Sequence, residues 1–212
     1  KVAIIAADGT YSYGQLLELV NKISNFLVSE GVDPGNRIAI RGPNNAMAVA
    51  IWLAILRIGA IAVTTIPLQR AVELEKIIEI GQIQFALVDH RFTEEWNLVK
   101  NFSGKTFVYG GDSGLASKIN SQSSQFMTCD TASDDVSLLA FTSGSTGIPK
   151  ATMHFHRDVL AIADTFSKSI VKPTKDDVFA GSPPIAFTFG LGGLVIFPFR
   201  VGATTVLLEN AA

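Results

Sequence analysis

The sequence predicts an α/β protein built on a layered, mainly parallel sheet flanked by helices. Short apolar segments typical of strands alternate with segments of helical spacing through most of the 212 residues. Glycines, prolines and small polar residues separate the two kinds of segment. Because a repeated strand, helix, strand order requires crossover connections, it favours parallel strands with helices on their faces.

The first helix is predicted to begin after Ser12, whose hydroxyl can cap it. Gln15 stands three residues later and can reach back to the Ser12 amide, which completes a capping box. Gly31 follows the last residue of helical spacing and marks the end of the segment. The apolar positions of this helix are Leu16, Leu19, Val20, Ile23 and Leu27.

The second helix is predicted to begin near Asn44 or Asn45 and to run to Leu56. It is apolar on nearly every face, which predicts a buried helix rather than an amphipathic one. The stretch 46–66 is also the best candidate for a membrane span, but Arg57 lies in its middle. An arginine at a bilayer centre costs about 2.5–3.5 kcal/mol, so we expect no membrane span.

The remaining segments continue the alternation. Further strands are predicted at 37–40, 61–65, 85–88, 106–109, 137–141, 151–155 and 204–208, and further helices at 71–80, 93–100 and 157–168. The stretch 110–135 is rich in Gly, Ser, Gln, Asp and Asn, which is typical of a linker or loop. We therefore expect a first α/β subdomain portion over 1–130 and a second portion over 131–212.

Charge and cysteine content exclude several classes of protein. With 17 Lys+Arg against 19 Asp+Glu, the net charge of -2 gives no electrostatic footprint for nucleic acid. A single cysteine, Cys129, excludes an intramolecular disulfide and is typical of a reducing compartment. The start of the chain lacks the features of a signal peptide, so we expect a cytoplasmic protein.

A segment rich in hydroxyls and glycines follows the strand at 137–141, and its sequence is Thr142-Ser143-Gly144-Ser145-Thr146-Gly147-Ile148-Pro149-Lys150. Glycines let backbone amides turn toward an anion, hydroxyls donate further hydrogen bonds, and Lys150 adds a compact positive charge. A polyphosphate site is therefore predicted, and a solvated hairpin turn is the alternative. It is not a P-loop, since Gly144 and Gly147 are too close together and Pro149 precedes the lysine. The residues predicted to bind phosphate are Thr142, Ser143, Gly144, Ser145, Thr146, Gly147 and Lys150.

The stretch from Leu139 to Lys150 resembles the phosphate-loop signature of the adenylate-forming superfamily, which includes acyl- and aryl-CoA ligases, peptide-synthetase adenylation domains and luciferases. Phe141, where tyrosine is frequent, and Ala151, where glycine is usual, depart from the signature. Other segments follow the order of the family's amino-terminal region over essentially the whole chain. The resemblance implies that the loop holds the β- and γ-phosphates of Mg-ATP while a substrate carboxylate attacks the α-phosphorus. It implies a catalytic role for Lys150, with ATP, Mg²⁺ and coenzyme A as cofactors.

The stretch 181–193 resembles the acyl-pocket segment of the same family. By that match Phe187 takes the place of the gatekeeping aromatic, and Phe189 and Gly190 line the substrate pocket. Domains that activate α-amino acids usually carry an aspartate where Thr188 stands, so amino-acid activation is disfavoured. The segment is most similar to benzoate–CoA and 2-aminobenzoate–CoA ligases, which implies a small aromatic carboxylic acid as the substrate.

Three other functions compete with an aryl-CoA ligase. They are a fatty acyl-CoA ligase, a non-catalytic nucleotide-binding module, and an amidase-type hydrolase that uses the Ser143-Gly144-Ser145 turn. The hydrolase lacks the G-x-S-x-G nucleophile elbow, because a serine occupies the position of its first glycine.

Two pairs of residues have both a functional and a structural interpretation. On a strand, His154 and His156 would share a face and could begin a metal site, but no third ligand stands nearby in the sequence, so no metal ligand is assigned. A structural role at a helix start is favoured for His156. Phe197 and Phe199 are interpreted as core aromatics rather than as pocket residues.

The resemblance also implies that parts of the enzyme lie outside this chain. In the family, the groups that contact adenine, ribose and magnesium, and the carboxy-terminal lysine, follow the region covered here, and none is found by Ala212. We therefore expect a partial amino-terminal domain whose partner is the remainder of its own chain, with the carboxy-terminal domain absent. The low charged fraction of 17% then predicts an exposed apolar patch in the second portion.

Overall fold

The computed structural model describes residues 1–142 and 149–209 and contains two sheets. The smaller sheet has the strand order β2-β1-β10-β9, and the larger has the order β6-β5-β3-β4-β7-β8. The strands are β1 Val2–Ala6, β2 Gly9–Ser12, β3 Arg37–Arg41, β4 Ile61–Thr65, β5 Phe85–Asp89, β6 Lys105–Tyr109, β7 Val136–Thr142, β8 Lys150–Phe155, β9 Val178–Gly181 and β10 Thr204–Leu207. The α-helices are α1 Tyr13–Ser29, α2 Ala46–Arg57, α3 Ala71–Gly81, α4 Thr93–Asn97, α5 Leu115–Asn120, α6 His156–Ile162, α7 Thr188–Leu191 and α8 Phe197–Val201.

Most strand pairs are parallel, which confirms the predicted class. In the larger sheet, the pairs between β3, β4, β5, β6 and β7 are all parallel, and only β8 runs antiparallel, beside β7. In the smaller sheet, β10 is parallel to both of its neighbours and β2 is antiparallel to β1. Each sheet contains strands from both sides of residue 130.

The main core lies where α1 and α2 pack against both sheets. Ile4 of β1 and Leu207 of β10 come from the smaller sheet, and Ile38 and Ile40 of β3 come from the larger. Helix α2 is buried on nearly all sides, as its sequence predicts; its buried residues are Ala46, Ala48, Val49, Ala50, Ile51, Trp52, Ala54 and Ile55. Both sheets therefore depend on this central helical layer.

A second core covers the opposite face of the larger sheet. Ala39 of β3 lies between Ile38 and Ile40 in sequence, and it packs on this face with Leu74 and Ile77 of α3. Since successive strand residues point to opposite faces, a continuous apolar strand indicates burial on both sides.

The predicted helix boundaries are confirmed for the first two helices. The Ser12 hydroxyl accepts a hydrogen bond from the Gln15 amide at 3.2 Å, and the Gln15 side chain accepts one from the Ser12 amide at 2.9 Å. For the second helix, the Asn45 side chain accepts from the Ala48 amide at 2.8 Å, so Asn45 rather than Asn44 is the cap.

The stretch 110–135, predicted as a linker or loop, contains one helix that the sequence interpretation missed. Helix α5 lies within it, and the chain after α5 is fixed to α1 and α2 by side chains. Asn21 donates to the Ser124 carbonyl at 2.7 Å, and Arg57 donates to the Phe126 carbonyl at 3.0 Å. Leu115 and Ile119 of α5 are buried in the main core.

Other elements differ from the predictions or were not predicted. Helix α4 ends at Asn97 rather than near residue 100. The helix predicted over 157–168 extends to Val171, because a π-helical stretch Ala163–Val171 continues α6. The sequence interpretation missed β1, β2 and β9, and it missed the helical run from α7 through a second π-helical stretch, Gly192–Ile196, to α8.

Apolar side chains are exposed along α6 and the π-helical stretch after it. Leu160 is 50% exposed, Phe166 55% and Ile170 68%. They lie in the second portion of the chain, where the sequence predicts an apolar patch. No helix in the described part of the chain combines the length and apolarity needed to cross a bilayer.

Candidate active site

The predicted phosphate loop begins at the carboxyl edge of the larger sheet. Strand β7 is parallel to β4, and it ends at Thr142, where the loop begins. In open α/β sheets, ligands bind beside the carboxyl ends of the strands, because the connecting loops meet there. The hydroxyl- and glycine-rich segment therefore starts at the edge where a ligand site is expected.

The two ends of the loop are held together by the β7–β8 hairpin. Thr142 pairs with Lys150, Ala140 with Thr152, and Leu138 with His154. Directly opposed residues of an antiparallel pair point to the same face of the sheet. Because these pairs are two residues apart, the side chains of Lys150, Thr152 and His154 lie on one face of the hairpin.

Only part of the predicted phosphate site lies in the described residues. Thr142 and Lys150 are both exposed at the end of the hairpin. The other predicted phosphate ligands lie outside the described residues; they are Ser143, Gly144, Ser145, Thr146 and Gly147. The turn proposed for the amidase-type alternative lies in the same undescribed stretch.

Arg41, at the end of β3, fixes the loops that surround the carboxyl edge. It is only 1% exposed, and it donates hydrogen bonds of 2.8–3.0 Å to four carbonyls. These carbonyls belong to Ile66, Pro67, Gln69 and Phe92. Burial lowers the pKa of Arg41 from its ordinary value. A guanidinium can saturate several carbonyls at once, so this side chain connects the loop after β4 and the loop after β5 to the end of β3.

A charged network lies at the neighbouring end of β5. Arg91 donates to both oxygens of Asp89 at 2.9 Å, and it also reaches Glu209 at 2.9 Å. Burial by itself raises the pKa of Asp89, but the hydrogen bonds from Arg91 outweigh this effect and hold it below the ordinary value. Asp89 is therefore a buried carboxylate anchored by Arg91. Glu209 lies just after β10, so the network connects the two sheets.

The predicted acyl-pocket segment is anchored to the larger sheet by two polar side chains that the sequence interpretation missed. The Asn44 amide donates to the Pro183 carbonyl at 2.9 Å, and its oxygen accepts from the Ile185 amide at 2.8 Å. Thr64 donates to the Ala186 carbonyl at 2.5 Å. The one sequence signal for this contact was the pair of asparagines before α2. One asparagine is enough to cap the helix, so the other was available for a different role.

A groove of about 520 Å³ opens between the hairpin, α6 and the α7–α8 run. Its lining is mainly apolar and aromatic, and it includes Phe166, Phe189 and Phe197. The polar side chains in the lining are His154, Asp158 and Thr188. Pockets for small ligands commonly measure about 300–1,000 Å³ and combine apolar walls with a few polar groups. The size and the lining of this groove fit that description.

The residues predicted to line a substrate pocket occupy different environments. Phe189 lines the groove and is 79% exposed, and Thr188 lines it from the first turn of α7. Phe187 is 44% exposed at the cap position of that helix. Gly190 is buried: a Cβ at this position would lie 2.2 Å from the Pro184 carbonyl oxygen. Gly190 thus allows the backbone of Pro184 to approach closely.

The two aromatics interpreted as core residues also differ from each other. Phe199 packs edge-on against Tyr13, with 5.6 Å between the ring centroids, and it contacts the main core. Phe197 instead lines the groove and lies 6.1 Å from Phe166 by ring centroids. Residues two apart on a helix point to different sides, so Phe199 faces the core while Phe197 faces the groove.

His156 is the first residue of α6, so it does not share a strand face with His154. Burial lowers the pKa of His156, and the nearby Asp135 opposes this effect. Within residues 1–142 and 149–209, no group of three or more His, Cys, Asp or Glu side chains is arranged to hold a metal ion.

The described residues form an α/β fold with an apolar groove beside the hairpin from which the predicted phosphate loop extends. The sequence matches the family described as AMP-binding enzyme over residues 1–212, and the chain belongs to that family.

Curated relatives include aryl- and fatty-acid–CoA ligases. The chain is 27% identical to benzoate–CoA ligase of Thauera aromatica, covering 99% of this chain and 41% of the relative. It is 29% identical to medium-chain fatty-acid–CoA ligase of Escherichia coli (strain K12), covering 99% of this chain and 39% of the relative. The chain therefore spans about two fifths of the length of these relatives.

Solved structures share the whole described fold. The anthranilate CoA ligase AuaEII, solved in complex with anthranoyl-AMP, has a TM-score of 0.93 and 26% identity, covering 100% of this chain and 42% of that one. A benzoate CoA ligase from Burkholderia xenovorans LB400 has a TM-score of 0.91 at 22% identity, covering 100% of this chain and 43% of that one, and at this identity it supports the fold alone. The expected resemblance to the amino-terminal region of adenylate-forming enzymes is confirmed.

Proposed function

We propose that this chain is the amino-terminal part of an enzyme that activates an aromatic carboxylic acid with ATP and transfers it to coenzyme A. In the first step, a carboxylate oxygen attacks the α-phosphorus of ATP, which gives an acyl-adenylate and releases pyrophosphate. In the second step, the coenzyme A thiol displaces AMP and forms the thioester. Benzoate and 2-aminobenzoate are the candidate acids.

The observation that carries this proposal is the position of the groove relative to the phosphate loop. His154, in the groove wall, and Lys150, at the loop, lie on the same face of β8 and are four residues apart. At about 3.4 Å per residue, their Cα atoms are separated by roughly 13 Å. This separation suits a ring held in the groove while its carboxylate reaches toward a triphosphate at the loop.

In this arrangement Lys150 acts on the leaving group. Its ammonium, at the exposed end of the hairpin, neutralises negative charge that accumulates on the departing pyrophosphate, and Thr142 adds a hydroxyl donor from the opposite strand. Positioning and electrostatic stabilisation are most of what a protein contributes to chemistry at phosphorus. The predicted donors between Thr142 and Lys150 complete the site in this proposal.

The other cofactors require groups beyond the described residues. ATP would enter with Mg²⁺, and since no metal-binding cluster occurs among the described residues, the proposal assigns the magnesium ligands to the remainder of the enzyme. The same holds for the adenine, ribose and coenzyme A contacts. The exposed apolar side chains of α6 would pack against that remainder. The single cysteine supports a reducing, cytoplasmic location.

The groove supports an aromatic acid over the alternatives. Phe166, Phe189 and Phe197 can pack against a flat ring. At the position where domains that activate α-amino acids usually carry an aspartate, Thr188 has no charge to pair with an ammonium. A fatty acid is the competing substrate, because Val159, Ile162 and Ile196 also line the groove and could pack against an alkyl chain.

Pyrophosphate exchange in the complete protein tests the proposal. Benzoate, 2-aminobenzoate, medium-chain fatty acids and amino acids are compared, and the aromatic acids are expected to give the highest kcat/KM. A preference for fatty acids would overturn the aromatic assignment. Absence of exchange with every acid would overturn acid activation itself and favour a non-catalytic nucleotide-binding module.

A companion measurement tests the division of groups between this chain and the remainder. The isolated 212-residue chain is expected to form no measurable acyl-CoA. Detection of acyl-CoA from this chain alone would contradict the assignment of essential groups to other residues.

A further inference from the structure

His154 brings a polar ring into the wall of the otherwise mainly apolar groove. It lies on β8 opposite Leu138, which also lines the groove. The proposed catalytic steps make no use of this histidine. An imidazole beside the proposed ring-binding surface nevertheless presents a group that can distinguish one ring substituent from another.

The hydrogen bonds around His154 favour one tautomer of its ring. The Thr152 hydroxyl has a single proton, and it donates this proton to the Ala140 carbonyl at 3.1 Å. His154 Nε2 lies 3.2 Å from the same hydroxyl oxygen. When the hydroxyl donates to this carbonyl, its oxygen accepts from the ring, and Nε2 is then the donor. In the neutral imidazole, Nδ1 is therefore left as a bare acceptor, and no protein partner for it occurs among the described residues.

A second acceptor lies on the same wall. One carboxylate oxygen of Asp158 accepts from the Phe155 amide at 2.9 Å, which leaves its other oxygen 3.9 Å from the Arg157 guanidinium. Asp158 is 40% exposed and lines the groove with His154. This wall of the groove thus presents acceptors to its ligand.

We propose that His154 selects aromatic acids whose ring carries a hydrogen-bond donor, an amino group above all, by accepting that hydrogen at Nδ1. The inference rests on the proposed function, since it assigns the ring of the activated acid to this groove. An acid without a donor leaves the acceptor without a partner once water is displaced, and it is bound less well for that reason. Thr152 is a positioning residue, because it acts only by holding the imidazole tautomer.

The test compares acids that differ only in the substituent. The complete protein is assayed by pyrophosphate exchange with 2-aminobenzoate, 2-methylbenzoate and benzoate, where the methyl group matches the amino group in size but donates no hydrogen bond. The wild type is expected to favour 2-aminobenzoate over 2-methylbenzoate by about tenfold in kcat/KM, the scale of one hydrogen bond. A third arm with 2-hydroxybenzoate is expected to resemble 2-methylbenzoate, because its single hydroxyl proton is donated to its own carboxylate, whereas the amine keeps a second N–H for Nδ1.

Three variants locate the effect. His154→Phe keeps a flat ring without an acceptor, and it is expected to bring the ratio of 2-aminobenzoate to 2-methylbenzoate close to one. Thr152→Val frees the tautomer and is expected to lower the ratio about two- to threefold. Met153→Leu is the matched control: Met153 is 63% exposed on the opposite face of β8, and the ratio should not change. Thermal unfolding of each variant verifies that it is folded.

The outcomes separate this inference from the proposed function. If aromatic acids are activated but the ratio is near one in the wild type, or is unchanged in His154→Phe, the inference is overturned and acid activation stands. If no acid supports exchange in the wild type, or fatty acids are preferred, the proposed aromatic function fails, and the inference fails with it. The inference is supported if the wild type gives a ratio near tenfold, Met153→Leu keeps it, and His154→Phe and Thr152→Val lower it.

Discussion

Thr142 and Lys150 lie opposite each other at the end of the antiparallel β7–β8 hairpin. The strand pairing therefore closes both ends of the predicted phosphate loop. It also directs the lysine side chain to the face that carries His154 and the groove. Since a lysine acts as a point charge on a flexible stem, its location at a fixed strand end determines where that charge can reach.

Replacement of Lys150 by alanine is expected to lower the rate of pyrophosphate exchange in the complete enzyme by at least about 100-fold, because one preorganised electrostatic contact is commonly worth about 10²–10³ in rate. Lys150→Arg should retain part of the rate, since the charge is kept and only its geometry changes. The exchange rate is measured at saturating acid and ATP.

Lys118→Ala provides the matched control for this experiment. Lys118 is an exposed lysine on α5, which packs beside β6 at the opposite edge of the larger sheet. Its removal changes the net charge equally and is expected to leave exchange unchanged. An unchanged rate in Lys150→Ala would remove Lys150 from the mechanism.

Gly190 and Gly193 form a natural pair for testing the acyl-pocket segment. A Cβ at Gly190 would lie 2.2 Å from the Pro184 carbonyl oxygen, whereas a Cβ at Gly193 would meet nothing within 4 Å. Gly190→Ala is expected to destabilise the protein by about 1–3 kcal/mol through overpacking. Gly193→Ala should stabilise it by up to about 1 kcal/mol, because alanine favours a helix. Urea unfolding measures both, and equal effects would contradict the close backbone approach.

The sequence was sufficient where a local rule decides the structure. The capping box of Ser12 and Gln15 and the buried, all-apolar α2 follow from patterns within a single helix, and both are present. The parallel sheet also follows, because alternating strands and helices permit few other arrangements.

The sequence failed where distant contacts decide the structure. β1 and β10 pair although they lie at opposite ends of the chain, and the short strands show no strong alternation by themselves. The anchoring of Pro183 and Ile185 by Asn44 likewise depends on a contact across more than 100 residues. The missed strand β9 pairs only with β10, so its existence depends on that neighbour within the described sheets.

Arg41 is predicted to be a main source of stability for the carboxyl edge. Arg41→Met would leave the four carbonyls that it binds without its donors, and the expected loss is about 3 kcal/mol or more in the free energy of unfolding. Arg37→Met, on the same strand, loses hydrogen bonds only to Gln82 at the surface and should cost less than about 1 kcal/mol. Urea unfolding compares the two, and a similar loss in both variants would contradict the anchoring role.

Asp89 is predicted to make the stability of the protein depend on acid pH. Its pKa is lower in the folded protein than in the unfolded chain, because Arg91 donates hydrogen bonds to the carboxylate. The ionised form therefore favours folding. Its contribution is complete above the unfolded value, about 3.9, and it is lost as the pH falls through the lower folded value. At neutral pH, Asp89→Asn is expected to cost about 2 kcal/mol, the scale of hydrogen bonds to a charged group.

The measurement is the free energy of unfolding from pH 6 down to pH 2.5 for the wild type, Asp89→Asn, Arg91→Met and the double variant. The wild type should lose more stability on acidification than Asp89→Asn, because the variant has no carboxylate to protonate at this position. Arg91→Met should flatten or reverse the pH dependence, since it removes the guanidinium that outweighs burial and leaves only the Arg91 backbone amide as a donor from this residue. Because both variants break the same interaction, the double variant should cost less than the sum of the two single losses. Strict additivity, or equal acid sensitivity in all four proteins, would show that the Asp89–Arg91 pair does not stabilise the end of β5.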